Sequence, residues 1–84
     1  MRAVLFIKEQ QTLEAAGKLY RKARRIRGVL EAYPCLGRYD GVVFLEAPDA
    51  DALNGVVVAV SRLPGVFATD LHVEDLRSND APNR

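Results

Sequence analysis

Apolar positions along the chain alternate between two spacings. Val4 to Ile7 and Val42 to Leu45 are short unbroken apolar runs, rich in β-branched and aromatic side chains, and read as buried strands. After the first run Ala16, Leu19, Tyr20, Ala23 and Ile26 recur at helical spacing, and after the second Leu53, Val56, Val57, Val60 and Leu63 do the same, so each set paints one apolar stripe on a helix. Thr12 and Asp49 stand ahead of these stripes, where a side-chain oxygen can accept from unpaired amides of the first turn. Gly28 and Gly65 follow the stripes, where a left-handed residue closes the last turn without a Cβ penalty. Strands resume over residues 29–36 and 66–75. Residues 1–76 therefore form a single domain, and residues 77–84, which have no apolar anchor, read as a frayed tail.

The two halves repeat one another. Shifted by 37 residues, Arg25-Ile26-Arg27-Gly28-Val29-Leu30 falls on Arg62-Leu63-Pro64-Gly65-Val66-Phe67, and Leu5-Phe6-Ile7 falls on Val42-Val43-Phe44. Two βαβ units in series predict an α+β, ferredoxin-like βαββαβ fold: a four-stranded antiparallel sheet with both helices on one face and the first and third strands central. In the last strand Phe67, Thr69, Leu71 and Val73 should face the helices, and Ala68, Asp70 and His72 the other side. The central strands are apolar on both sides. A second apolar face needs a second cover, and in so short a chain that cover is another copy. Replacing Leu5 or Ile7 with Asp is expected to dissociate or unfold the protein.

Composition narrows the function. Eighty-four residues allow one small domain, with 49% hydrophobic and 27% charged residues and a net charge of +1 from 12 basic and 11 acidic side chains. That balance speaks against a dedicated nucleic-acid module. One cysteine, Cys35, and one histidine, His72, rule out an internal disulfide and give no recognised zinc spacing, and no metal or cofactor is implied. No apolar run approaches the ~20 residues of a membrane span, and no leader opens the sequence, so a cytoplasmic location is expected.

Ile26-Arg27-Gly28-Val29-Leu30-Glu31-Ala32-Tyr33, then Leu36-Gly37-Arg38-Tyr39-Asp40, then Leu63-Pro64-Gly65-Val66-Phe67-Ala68-Thr69 resemble a RAM domain, the effector-binding and oligomerising domain of Lrp/AsnC transcription regulators. Those regulators carry a helix-turn-helix domain ahead of it, which these residues lack, so the chain resembles a stand-alone RAM protein of the dimeric α/β-barrel type. Gly37-Arg38-Tyr39-Asp40 followed by Glu46-Ala47-Pro48-Asp49 is also similar to the GYD-domain family. The resemblance implies a non-catalytic module: homodimers joined into larger rings, with an amino acid or related metabolite bound between dimers. It places Gly37, Arg38, Tyr39 and Asp40 at the ligand, together with Thr69 of a Thr-x-Thr pair whose second position here is Leu71.

Several residues carry two readings. Gly37 to Gly41 can be a ligand loop, with Tyr39 as a wall and Asp40 pairing an ammonium, or a plain turn in which Gly37 and Gly41 take positive φ and Asp40 caps amides. Lys18, Arg21, Lys22, Arg24, Arg25 and Arg27 can grip phosphates or simply solvate a helix face and offset its dipole, and no sequence-specific DNA binding is expected. His72, Asp70, Tyr33 and Cys35 on the non-helical face suit a hydrogen-bonded dimer interface. The contrasting reading is a small monooxygenase-like enzyme using His72 or Asp70 inside the barrel.

Overall fold

The computed structural model describes residues 1–10 and 13–74, with side chains from residue 17 onward in the first helix. The elements follow in the order β1 (Arg2–Glu9), α1 (Leu13–Arg24), β2 (Val29–Pro34), β3 (Gly41–Glu46), α2 (Ala50–Ser61) and β4 (Val66–Val73). They form one antiparallel sheet of order β2-β3-β1-β4, so β1 and β3 are central as the repeat predicted. Thr12, the Ala16 side chain and the tail over residues 77–84 lie outside the described residues.

The helix ends show why the elements stop where they do. Asp49 has extended backbone, and its side chain accepts from the Ala52 amide at 2.8 Å, satisfying a donor that the first turn of α2 cannot. Gly28 and Gly65 sit at φ +102° and +99° at the two helix-to-strand turns, where any side chain would be strained. The Gly28 carbonyl accepts from the Glu46 amide, which stitches the first of these turns to the end of β3.

Register decides which side of each strand is buried. Leu5 pairs with Val43 and Leu71, and Ala3 with Leu45 and Val73, so these residues share the face that the helices cover. Leu5, Ile7, Val43 and Leu45 pack there against Leu19, Tyr20 and Ala23 of α1 and Leu53, Val56 and Val60 of α2. Val4, Phe6 and Phe44 lie on the opposite, open face and stay half-buried. Leu5 and Ile7 are therefore core residues. Their replacement tests folding, and Val4, Phe6 and Phe44 are the positions that test the open face.

Phe67 and Gly41 depart from expectation, and Leu71 and Val73 meet it only in part. Leu71 and Val73 do lie on the helix side, but β4 is an edge strand that the helix layer leaves partly bare, so both remain exposed. Phe67 is 67% exposed, because the β1–β4 register skips it: Lys8 faces Ala68 and Glu9 faces Val66. Gly41 does not have positive φ. It is glycine because a Cβ there would land on the ring of Tyr20, which α1 drives against β3. That ring is fully buried and its hydroxyl donates to Glu9 Oε2 at 2.8 Å, with burial first and the Glu9 carboxylate second holding the phenol far above its ordinary pKa.

Candidate ligand loop and interface site

The connection between β2 and β3 is a built loop. The Cys35 amide donates to the Asp40 carbonyl at 2.9 Å, closing it, and Gly37 at φ +128° makes the reversal that only glycine accommodates without strain. The loop is bolted to the end of β1 by two bonds from one residue: the Asp40 amide donates to the Ile7 carbonyl at 2.8 Å, and Asp40 Oδ2 accepts from the Glu9 amide at 2.8 Å. Asp40 thus performs the capping work of the turn reading. Leu36 and Arg38 project into solvent at the tip.

Tyr39 leaves the loop and crosses the open face. Its ring stacks on Phe6, with centroids 5.0 Å apart, and its hydroxyl donates to Asp70 Oδ2 on β4 at 2.6 Å. His72 completes the cluster: Nε2 lies 3.0 Å from the same carboxylate oxygen, and the ring meets Phe6 edge-on at 5.4 Å. Lys8 Nζ lies 5.9 Å from the Tyr39 centroid, within reach of a cation–π contact. One carboxylate thus holds a phenol and an imidazole over an aromatic floor.

The electrostatics of the cluster follow from these bonds. The Tyr39 and then the His72 hydrogen bonds stabilise the Asp70 carboxylate and hold its pKa below the usual value, while the bond to Asp70 is the main reason the Tyr39 phenol is raised. An ionised Asp70 has no proton to give, so His72 must donate from Nε2, which fixes the tautomer of the neutral ring and leaves Nδ1 as its acceptor. Tyr33, by pairing with Val42, shares this face and approaches Phe44 at 6.1 Å. Cys35 Sγ lies 3.5 Å from the Tyr39 carbonyl.

Of the residues the sequence singles out, Gly37, Arg38, Tyr39 and Asp40 share one loop but aim apart, Arg38 into solvent, Tyr39 over the open face and Asp40 back onto the end of β1, and Thr69 stands away from all four. Thr69 pairs with Ile7 on the helix side of the sheet, whereas Tyr39 lies on the open side. Strand alternation puts Asp70 and His72 on the open face, but no local pattern signals that Tyr39 reaches them, since the two segments meet only through the β1 crossing. His72 borders an open groove of about 580 Å³ lined by Val4, Leu30, Glu31, Phe44, Val73 and Glu74, rather than the floor of a polar cavity. A second groove, of about 590 Å³, runs between the α1–β2 turn and the Ala52, Gly55 and Ala59 side of α2. Among the described residues no group of three or more His, Cys, Asp or Glu side chains could hold a metal ion, and no helix is long and apolar enough to cross a membrane.

No protein-family model and no curated protein sequence matches the chain. Solved structures do match. TTHA0845, a protein of Thermus thermophilus, superposes with a TM-score of 0.78 at 24% identity over 88% of this chain and 91% of its own. AsnC of E. coli gives 0.76 at 18% identity over 87% of this chain, and the transcriptional regulator NMB0573 of Neisseria meningitidis, in its complex with L-Met, gives 0.77 at 16% identity over 88%. This chain spans about half the length of each of those two regulators, 49% in both cases. Likeness of this kind shows the fold: a ferredoxin-like domain that is also found in about half of each of these two regulators.

Proposed function

We propose that the chain is a non-catalytic, ligand-sensing assembly module, whose copies pair through the open sheet face and take an amino acid or a related small metabolite at the Gly37–Asp40 loop. The observation that carries this reading is the open face itself. Val4, Phe6 and Phe44 make an apolar surface that neither helix covers, with Val42 buried among them and the Tyr39–Asp70–His72 cluster along one side. An apolar centre with hydrogen-bonded polar groups at its edge is the anatomy of a protein interface. The fold shared with transcription regulators, one of them solved with L-Met, supports the sensing half of the proposal.

Asp40 retains the chemistry for an ammonium. Oδ2 is committed to the Glu9 amide, and no bond joins the other oxygen to a described residue. Thr69 and the loop occupy opposite faces of one copy, so a site using both draws them from two copies, and ligand binding and ring assembly become one process. With Leu71 in place of a second hydroxyl, the ligand carboxylate loses a neutral donor, on the order of 1 kcal/mol, which is about tenfold or less in affinity.

A thermal-shift screen of the twenty amino acids, read beside light scattering, tests the proposal, because a ligand selective for the folded assembly raises its melting temperature by mass action. At least one amino acid at millimolar concentration should raise it, and Asp40→Asn should weaken that ligand more than Thr69→Val, since Asn keeps the bond to the Glu9 amide and loses only the charge. No shift with any amino acid, together with a monomer at micromolar concentration, would overturn it.

A further inference from the structure

We propose that Lys18, Arg21, Lys22 and Arg25 form a docking stripe for the phosphate backbone of nucleic acid, used without regard to base sequence. The four residues line one shallow depression on the outer side of α1 and its last turn, and among the described residues no acidic side chain lines it with them. All four are exposed, and no ion pair joins any of them to a described carboxylate. Arg24 is not part of the stripe, because its Nε donates to the Ala32 carbonyl at 2.9 Å and ties the helix to β2.

Compensation of the helix dipole accounts for only part of this arrangement. That effect is confined to the last turn, where Arg21, Lys22 and Arg24 lie, whereas Lys18 stands a turn earlier. The spacing of 18, 21, 22 and 25 instead stacks the cations along one line, about 10 Å long at the α-helical rise. Phosphates on one strand of a duplex follow at about 3.4 Å along its axis, so the line covers about three such steps, enough for one phosphate to each of the four cations.

The class of partner follows from what the stripe lacks. Leu19, Tyr20 and Ala23, the large or apolar side chains interleaved with these cations, are all turned into the core at 2% exposure or less. A protein partner would find no apolar centre on which to build an interface, and a membrane would find no side chain to insert. Phosphate backbone binding needs neither, since it is driven by release of condensed counterions. The chain as a whole is nearly neutral, at +1, so the attraction resides in the placement of these four charges rather than in net charge.

Fluorescence anisotropy with two labelled duplexes of about 20 base pairs and unrelated sequence, titrated with the full chain between about 50 and 200 mM NaCl, tests this. Both duplexes should bind alike and at least a hundredfold more weakly at the higher salt, the change expected of about four phosphate contacts. Arg21→Glu should weaken binding tenfold or more and flatten the salt dependence. Arg62→Glu, the same charge change on an exposed residue at the end of α2, should leave binding within twofold. Circular dichroism checks that each variant folds. Absence of binding at 50 mM NaCl, preference for one duplex, equal damage from Arg62→Glu, or tighter retention on phosphatidylserine vesicles than on duplex at the same salt would each overturn the proposal.

Discussion

The two faces of the sheet are made of similar residues and end in different states. On one face Ala3, Leu5, Ile7, Val43 and Leu45 are all 4% exposed or less, sealed by two helices. On the other, Val4, Phe6 and Phe44 are only half-buried: a loop lays Tyr39 on Phe6, and Asp70 of β4, joined by His72, holds the Tyr39 hydroxyl there. Apolar content alone therefore does not distinguish a sealed face from an open one. The difference lies in what the same chain can lay over each face, and in the polar groups that only the uncovered face carries.

The largest effect expected from breaking this contrast is in the sealed face. Leu5→Ala should cost about 2–5 kcal/mol of unfolding free energy, as deletions in a core that cannot collapse around the gap do, and Leu5→Asp should abolish folding. Urea melts should show the Leu5→Ala cost at every protein concentration, since the residue stabilises each copy by itself.

On the open face the dependence reverses. Phe44→Asp should leave the far-ultraviolet dichroism of the chain close to that of the unaltered protein while weakening self-association on the order of a hundredfold, because an unpaired carboxylate would be trapped between copies. Light scattering across a dilution series separates the two variants. If Phe44→Asp unfolds the chain and Leu5→Ala alters only its assembly, the assignment of the faces is inverted.

A smaller effect belongs to Tyr20, at the far edge of the sealed face. Its folded phenol pKa lies above the unfolded value of 10.0, so its contribution is intact below about pH 10 and is lost as the pH climbs beyond, when the unfolded chain releases a proton that the folded one keeps. Denaturant midpoints should fall above pH 10, and Tyr20→Phe should make that fall shallower, at the cost of the Glu9 hydrogen bond at every pH.

The smallest effect concerns the open-face cluster. Asp70 has a folded pKa below 3.8, so the stability it lends is present above that value and lost as the pH drops through the folded one. Tyr39→Phe removes the largest cause of that depression and should move the Asp70 titration upward. Carbon-detected NMR titration of the side chain reads this directly, and an unmoved Asp70 would mean that the Tyr39 hydroxyl does not hold it.

Much of the fold was legible because local rules agree with the global one. The helical stripes, Asp49 as a cap, and Gly28 and Gly65 as left-handed turns all follow from near neighbours in the chain. Failures came where two rules tie or where the answer is a distant contact. In β1 both parities are apolar, so alternation cannot choose between Leu5 and Phe6, and only pairing with Leu71 or with Asp70 separates them. Gly41 looked like a turn residue, yet its role is to make room for Tyr20 from another element. Of the candidate site, the loop was legible as a segment. Its seating against Ile7 and Glu9, the reach of Tyr39 to Asp70, and the separation of Thr69 depend on register across three strands, which no local pattern encodes.

The central position of β1 also governs the order in which the chain can come together. β2 and β3 are neighbours joined by a six-residue connection over 35–40 and can zip as soon as both exist, whereas Arg2 must find Glu46 and Ala3 must find Val73. During synthesis the Ala3-Val4-Leu5-Phe6-Ile7 run, the longest apolar stretch in β1, therefore waits for most of the domain before its second edge is covered. Such a run is a nucleus for association with other nascent chains. Arg2 on one side and Lys8 with Glu9 on the other place charge at both ends of it, so the strand is guarded while it waits and fully paired only when β4 arrives.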